Sequence, residues 1–287
     1  MQILTDRGAD FSNEQLNDID VTFAPLLIVL DDVTYRSGVD IQPSEFYELL
    51  TATESLPTTS LPSAGEFADI YRKMSETDPD ILSVHISSGL SGTTSAAQLG
   101  AEMVPEAKVT VVDTKTLSAA EGWQVEAAFK AVKAGWSKEK IVEFLKQISD
   151  ATETLFTLSD LKYLIHGGRI SHIKGLLAQV LNIKPIIGVE KVEGKYEQRG
   201  QARTFSRAIS YIVDQIVKQH GVGAALRVQI MHAANPIGAE TLREQIDKLF
   251  DVEWLPTAPI APVLGANTGP TLVGCIFAPQ SLFAALP

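Results

Sequence analysis

The chain carries a single cysteine, Cys275, in 287 residues, so neither an intramolecular disulfide nor a cysteine-built zinc cage can form. That scarcity fits a reducing, cytoplasmic setting. Long apolar runs are also missing: APLLIVL and LLAQVLNI fall well short of the roughly 18 residues that a membrane span requires. The opening MQILTDRGADFS has an acidic residue at position 6 and no apolar core, so it does not read as a secretory signal. Basic charge is in deficit, 24 Lys and Arg against 35 Asp and Glu for a net −11, which disfavours nucleic acid and anionic membrane as partners. H-E-x-x-H, the Walker lysine motif and G-x-G-x-x-G do not occur, so metalloprotease, P-loop and dinucleotide readings lack support.

What is present describes a soluble globular chain: 45% hydrophobic and 21% charged residues, with a length that favours two domains around a shared cleft. MQILTD, TFAPLLIVLDD, DILSVHI and KVTVVDT read as strands. Between them FSNEQLNDI, QPSEFYELLTA, residues 65 to 76, TTSAAQLGAEMV and WQVEAAFKAVKAG read as helices, with Ser12 and Pro43 as start signals. The segment SLPTTSLPS reads as a loop. Strands alternating with helices at this spacing predict a doubly wound, mostly parallel sheet over residues 1–154. Its ligand site belongs beyond the strand carboxyl ends, at Asp6, the Ser87 loop and Asp113.

The pattern changes near residue 155. KPIIGVEKVEGKYEQRGQAR predicts a hairpin turning at Glu193 and Gly194, set between a basic helix pair and another helix. LRVQIMHAA and LVGCIFAP supply further strands around the helix GAETLREQIDKLF. Residues 155–287 therefore read as a second α/β domain with antiparallel elements.

The segment ISSGLSGTTSAA raises the central chemical question, because its hydroxyls can either attack a substrate or hold one. A nucleophile elbow needs G-x-S-x-G, and around Ser91 the chain runs Gly89-Leu90-Ser91-Gly92-Thr93. Five histidines, at 85, 166, 172, 220 and 232, stand at no recognisable distance from it as a base. The alternatives are an anion cradle, in which serine hydroxyls and backbone N–H groups face a carboxylate or phosphate, and a capped helix with solvated hydroxyls. A second hydroxyl group, Thr58, Thr59 and Ser60, is held between Pro57 and Pro62, and prolines lower the cost of ordering a loop. HGGRISHIKG, with Arg169, His172 and Lys174, and QARTFSR, with Arg203 and Arg207, concentrate basic charge that faces either an anionic partner or internal carboxylates. Asn267, in the turn GANTGP, either donates to an anion or bonds its own turn.

Taken together, these segments resemble one family. ILTDRGADFS is similar to I-x-T-D-S-x-A-D-L, LPTTSLPS to P-T-T-S-Q-P-S, and ISSGLSGTTSAA to S-S-G-L-S-G-T-Y-x-S-A. VVDTKTLSAAEG, LSDLKYLIHGGRIS, VLNIKPI, ARTFSRAI and GANTGPTLVG continue the series in order. They resemble the signatures of the DegV family of bacterial fatty-acid-binding proteins. The resemblance implies a two-domain α/β fold with an acyl chain in an apolar tunnel between the domains and its carboxylate held by Thr59, Ser60, Ser88 and Ser91. It further implies no cofactor, no metal and no catalytic residue in this chain, which would present its fatty acid to a separate fatty acid kinase subunit for acyl-phosphate formation. Asn267, Arg169 and Arg203 fall at its head-group or phosphate contacts. A lipid sensor or carrier without kinase coupling, and a serine-dependent acyl hydrolase, are the competing readings. The chain departs from the pattern at Arg7, where the family motif has serine, at Leu61, where it has glutamine, and at Asn267 and Thr271, where it has histidine and glycine.

Overall fold

A computed structural model describes residues 1–173 and 183–286. Lys174 of the basic cluster, the side chain of His172, most of LLAQVLNI with the predicted basic helix there, and the first residues of VLNIKPI lie outside the described residues.

The first sheet is parallel and four-stranded, in the order Thr22–Ala24, Gln2–Asp6, Asp80–His85, Lys108–Asp113. The first strand lies between its two successors, Leu4 pairing with Thr22 on one side and Ser83 on the other. The order therefore reverses between Gln2–Asp6 and Asp80–His85, and ligands of parallel sheets bind beyond the carboxyl ends at such a switch. Both helices that flank the early strands begin as their sequences dictate. Ser12 caps Asn13–Asp18 in a capping box with Gln15, and Ser63 caps Ala64–Ser75 in a capping box with Glu66, each pair satisfying two otherwise orphaned N–H groups. Pro43 stands at the first turn of Pro43–Ala52, where its missing N–H costs nothing.

Three expectations from the sequence need revision here. TFAPLLIVLDD is two strands, because Pro25 lacks an N–H to continue the ladder: Thr22–Ala24 joins the parallel sheet and Leu27–Leu30 leaves it. SLPTTSLPS is more than a loop, since Thr58–Ser60 pairs antiparallel with Leu27–Leu30. With Val33–Arg36 on the other edge these form a small three-stranded sheet. The helix predicted to begin at Trp123 starts earlier, spanning Ser118–Lys133.

The second sheet is mixed, running Tyr196–Ala202, Lys184–Val189, Glu153–Thr157, Val273–Pro279, Ala225–His232, Asp251–Trp254, with Ala258–Pro259 pairing beside it on Ala225–His232. All but its last pairings are antiparallel. The hairpin around Glu193 and Gly194 is formed as its sequence predicts, with Gly194 at φ +69° and the Glu190 carboxylate accepting from the N–H groups of Val192, Glu193 and Lys195.

The largest apolar cluster draws on both sheets: Ile28, Leu82, Trp123 and Leu145 share it with Phe156, Ile187, Met231 and Ile276. Burial at about 25 cal/mol per Å² makes this shared core the main apolar contribution to holding the two sheets together. Polar groups fix its register. The Trp123 indole donates to Gln229 at 2.7 Å, Gln229 donates to Gln15 at 3.0 Å, and the Tyr47 hydroxyl donates to the Ile260 carbonyl.

Candidate functional site

Three elements bring the hydroxyl groups together. Thr58–Ser60 comes from the small sheet, Ser91 from the loop after Asp80–His85, and Asn267 from the short helix Pro262–Thr268 that packs against both Pro43–Ala52 and the small sheet. Thr59, Ser60, Ser91, Arg169 and Asn267 line one pocket with Leu26, Leu61, Ile86, Leu90, Leu117, Tyr196, Val263 and Leu264. Five of the seven residues singled out in the sequence thus share a wall. Ser88 and Arg203 are not on it. Ser88 is exposed, its N–H donates to Asp113 and its hydroxyl accepts from Lys115, while Arg203 is exposed just ahead of the helix Phe205–His220.

Two of the hydroxyls facing the pocket, Thr59 and Ser91, are backed from within. Asn267 Nδ2 donates to Thr59 Oγ1 at 3.4 Å and to the Val263 carbonyl at 3.1 Å. Ser91 and Thr93 hydroxyls are 2.8 Å apart, and the Thr93 N–H also donates to Ser91. A hydroxyl that accepts from behind keeps its own O–H for what lies in front. Asn267 Oδ1 presses on Gly167 so closely that a Cβ there would sit 2.3 Å from it, which accounts for the first glycine of the GGR motif. Arg169 donates to the carbonyls of Leu90 at 3.3 Å and Gly167 at 2.5 Å. Among the described residues the wall therefore bears one cation and no carboxylate, a charge balance that favours an anion over a cation.

Beyond it lies a second, dry space lined by Leu155, Phe156, Met231, Ile260, Leu272 and Cys275 among others, and Leu117, Tyr196 and Leu264 belong to both walls. The two are narrow, about 60 Å³ for the polar pocket and 30 Å³ for the apolar one. Burial raises the Tyr196 phenol and the Cys275 thiol above their ordinary ranges, as an apolar surrounding requires. Tyr196, Leu117 and Leu264 were missed in the sequence because nothing local marks a wall residue. Leu61 was noted only as a departure, and its side chain packs toward Gly92.

The serine loop is held in place by the hairpin. Ser87, one of its hydroxyls, donates to the Gly194 carbonyl at 2.8 Å and accepts from Gly89 N–H. Gly89 has no room for a side chain, since a Cβ would meet the Glu193 carbonyl at 2.3 Å.

A carboxylate–histidine–hydroxyl chain also exists, away from Ser91. His85 Nδ1 lies 2.9 Å from Asp6 and Nε2 lies 2.6 Å from Ser83, whose hydroxyl meets the Tyr71 phenol at 2.9 Å. The arrangement that satisfies every group runs Tyr71 to Ser83 to His85 to Asp6, with a neutral imidazole donating to the carboxylate. All four residues are completely buried, so no substrate reaches Ser83. Asp6 also accepts from the N–H groups of Ile86 and Gly8, and the chain thereby sets both loops at the switch point. Among the described residues, no group of three histidine, cysteine or acidic side chains could hold a metal ion, and no helix is long and apolar enough to cross a membrane.

A family model described as "Uncharacterised protein, DegV family" matches residues 1–280. The chain belongs to the DegV family. A DegV domain-containing protein of Deinococcus radiodurans is 33% identical over 277 residues, covering 96% of this chain and 95% of that one. Among solved structures, a DegV family protein from Thermus thermophilus described by its fatty acid binding superposes with a TM-score of 0.87 at 29% identity, covering 97% and 99% of the two chains. DegV from Bacillus subtilis, a fatty acid binding protein, gives a TM-score of 0.87 at 27% identity over the same shares.

Proposed function

We propose that this DegV protein binds a long-chain fatty acid, with Thr59, Ser60 and Ser91 gripping the carboxylate, Arg169 balancing its charge and Asn267 holding Thr59. The observation that carries the reading is the polar pocket continuing, through the shared Leu117, Tyr196 and Leu264, into a dry cavity. Each buried methylene contributes about 0.8 kcal/mol, and a carboxylate leaving water needs several charge-assisted donors. The acyl chain enters by displacing the shared side chains, since the spaces are narrower than such a chain. The same reading divides the protein into a head-group half, 1–154, and a half that covers the tail, 155–287.

In the cytoplasm the bound acid is presented to a separate kinase subunit, which forms the acyl phosphate; this chain supplies no catalytic residue. Ser88, at the exposed rim of the serine loop, and Arg203, on the open surface, are then available to the head group or phosphate from outside the pocket. Native mass spectrometry of protein purified from cells, followed by denaturing lipid extraction, tests the binding. One acyl chain per protein is expected, and recovery of none, with no binding of added palmitate or oleate, refutes it. Acyl-phosphate formation from the loaded protein on addition of ATP and a fatty acid kinase subunit tests the coupling separately.

A further inference from the structure

Arg7 stands where the family motif carries serine, and the gripping site does not use it. It follows the central strand of the parallel sheet at the carboxyl edge, where the fold places ligands. Its guanidinium lies over the Phe23 ring, 4.0 Å from the centroid, and against Gly38. The ring occupies one face of the guanidinium, and among the described residues its N–H groups find no acceptor. Among the described residues no carboxylate pairs with Arg7, and its buried Nε makes no hydrogen bond. A guanidinium has five donors and is seldom left half-buried without an acceptor. Only burial acts on its acidity, lowering its pKa, with no neighbouring carboxylate to raise it.

The same side chain lines an open groove of about 450 Å³, separate from the acyl cavity. Neutral polar groups surround it: Ser12, Asn13, Gln42 and Ser44, of which Gln42 makes no capping bond. Phe11, Leu16, Pro43 and Pro259 give the groove apolar ground. Among the described residues the one carboxylate on its wall, Asp10, is engaged by Ser118 at 2.5 Å and by the Ala261 N–H at 2.7 Å. In a protein of net charge −11, a cation held at a cleft among neutral donors selects for an anion.

We infer that this groove is a second ligand site, in which Arg7, Gln42 and Ser44 hold the oxyanion of a small phosphate- or carboxylate-bearing molecule whose apolar body lies on the proline-rich wall. Phenyl phosphate and benzoate, titrated separately into isotope-labelled full-length protein and followed by amide chemical shifts, distinguish the two oxyanions. Saturable shifts of Gly38 and Ser44 are expected with at least one probe and not with benzyl alcohol. Arg7→Gln should weaken that binding at least tenfold, while Lys218→Gln, which removes an exposed cation on the helix Phe205–His220, leaves it unchanged. Fatty acid binding should persist in Arg7→Gln, which separates this site from the acyl site. Should Arg7→Gln fail to fold, Ser44→Ala decides, with a several-fold loss expected. Absence of saturable shifts with both probes, equal shifts with benzyl alcohol, or unaltered affinity in the variants overturns the assignment.

Discussion

Replacing Gly89 by alanine tests whether the hairpin holds the serine loop. The new Cβ would lie 2.3 Å from the Glu193 carbonyl oxygen and 2.9 Å from the Gly194 carbonyl. These are backbone atoms, so no side chain can turn aside. Restoring ordinary contact requires the hairpin tip to retreat by roughly 1 Å, which stretches the 2.8 Å bond from Ser87 to Gly194 beyond useful range. Overpacking costs about 1 to 3 kcal/mol and the lost hydrogen bond about 1 kcal/mol. The sum, about 2 to 4 kcal/mol, corresponds to a melting temperature lower by roughly 3 to 7 °C in a chain of this size. Ser87→Ala removes the bond without the clash and should cost only about 1 kcal/mol. Tyr196 begins the strand that leaves the tip and stands on both cavity walls, so Gly89→Ala should also release bound fatty acid faster. Calorimetry and a fluorescent fatty acid exchange assay measure the two effects. Wild-type melting together with wild-type exchange in Gly89→Ala would refute the coupling.

Thr59→Ala and Ser91→Ala should each weaken fatty acid binding by about 1 to 3 kcal/mol with the fold intact, and unchanged calorimetric affinity in both removes the grip. Burial raises the Asp10 carboxyl to about 7, opposed by its bonds to Ser118 and Ala261. Because the folded state then holds its proton above the unfolded pKa, stability should fall as pH rises from about 4 to 7, by on the order of 4 kcal/mol. Glu121, also pushed up by burial, acts in the same direction, and urea titrations should show Asp10→Asn with a visibly flatter slope. A fluorophosphonate probe should leave the protein unlabelled, since Ser83 is sealed and Ser91 faces Thr93 rather than a histidine; mass-spectrometric detection of a Ser91 adduct would revive the hydrolase reading.

The parallel sheet was readable because hydrophobic runs, helix caps and turn glycines all act locally. Ser12 starts its helix by bonding three residues ahead, Pro43 stands at the first turn of its own, and Gly194 turns the hairpin within six. What escaped reading acts at a distance. Thr58–Ser60 is a strand only because Leu27–Leu30 offers it an edge, and no propensity of Pro-Thr-Thr-Ser announces that. Ser87 looked like a ligand donor, yet it is spent on a carbonyl 107 positions away. The pairing of His85 with Asp6 and Ser83 likewise depends on two strands becoming neighbours. Five of the seven chosen site residues came together because the family pattern encodes that tertiary meeting, whereas the chain's own departures from it had to await the geometry.

Asn267 is the departure with the clearest consequence. It occupies the position of the family motif's histidine, and its amide holds Thr59 at 3.4 Å while its oxygen fills the space that Gly167 leaves. An imidazole there would titrate near neutrality, whereas an amide does not titrate at all. Among the described residues, the other ionisable groups on the wall are the Arg169 guanidinium and the Tyr196 phenol, which burial keeps protonated. Affinity for an already ionised fatty acid should therefore stay flat between about pH 6 and 9. Asn267→His should restore a slope, binding more tightly as pH falls through the imidazole range, because the added proton brings a second positive charge to the carboxylate. Direct binding measurements across that interval decide it: a wild-type protein whose affinity already climbs toward acid would place in the pocket a titrating group that the described residues of this wall do not contain.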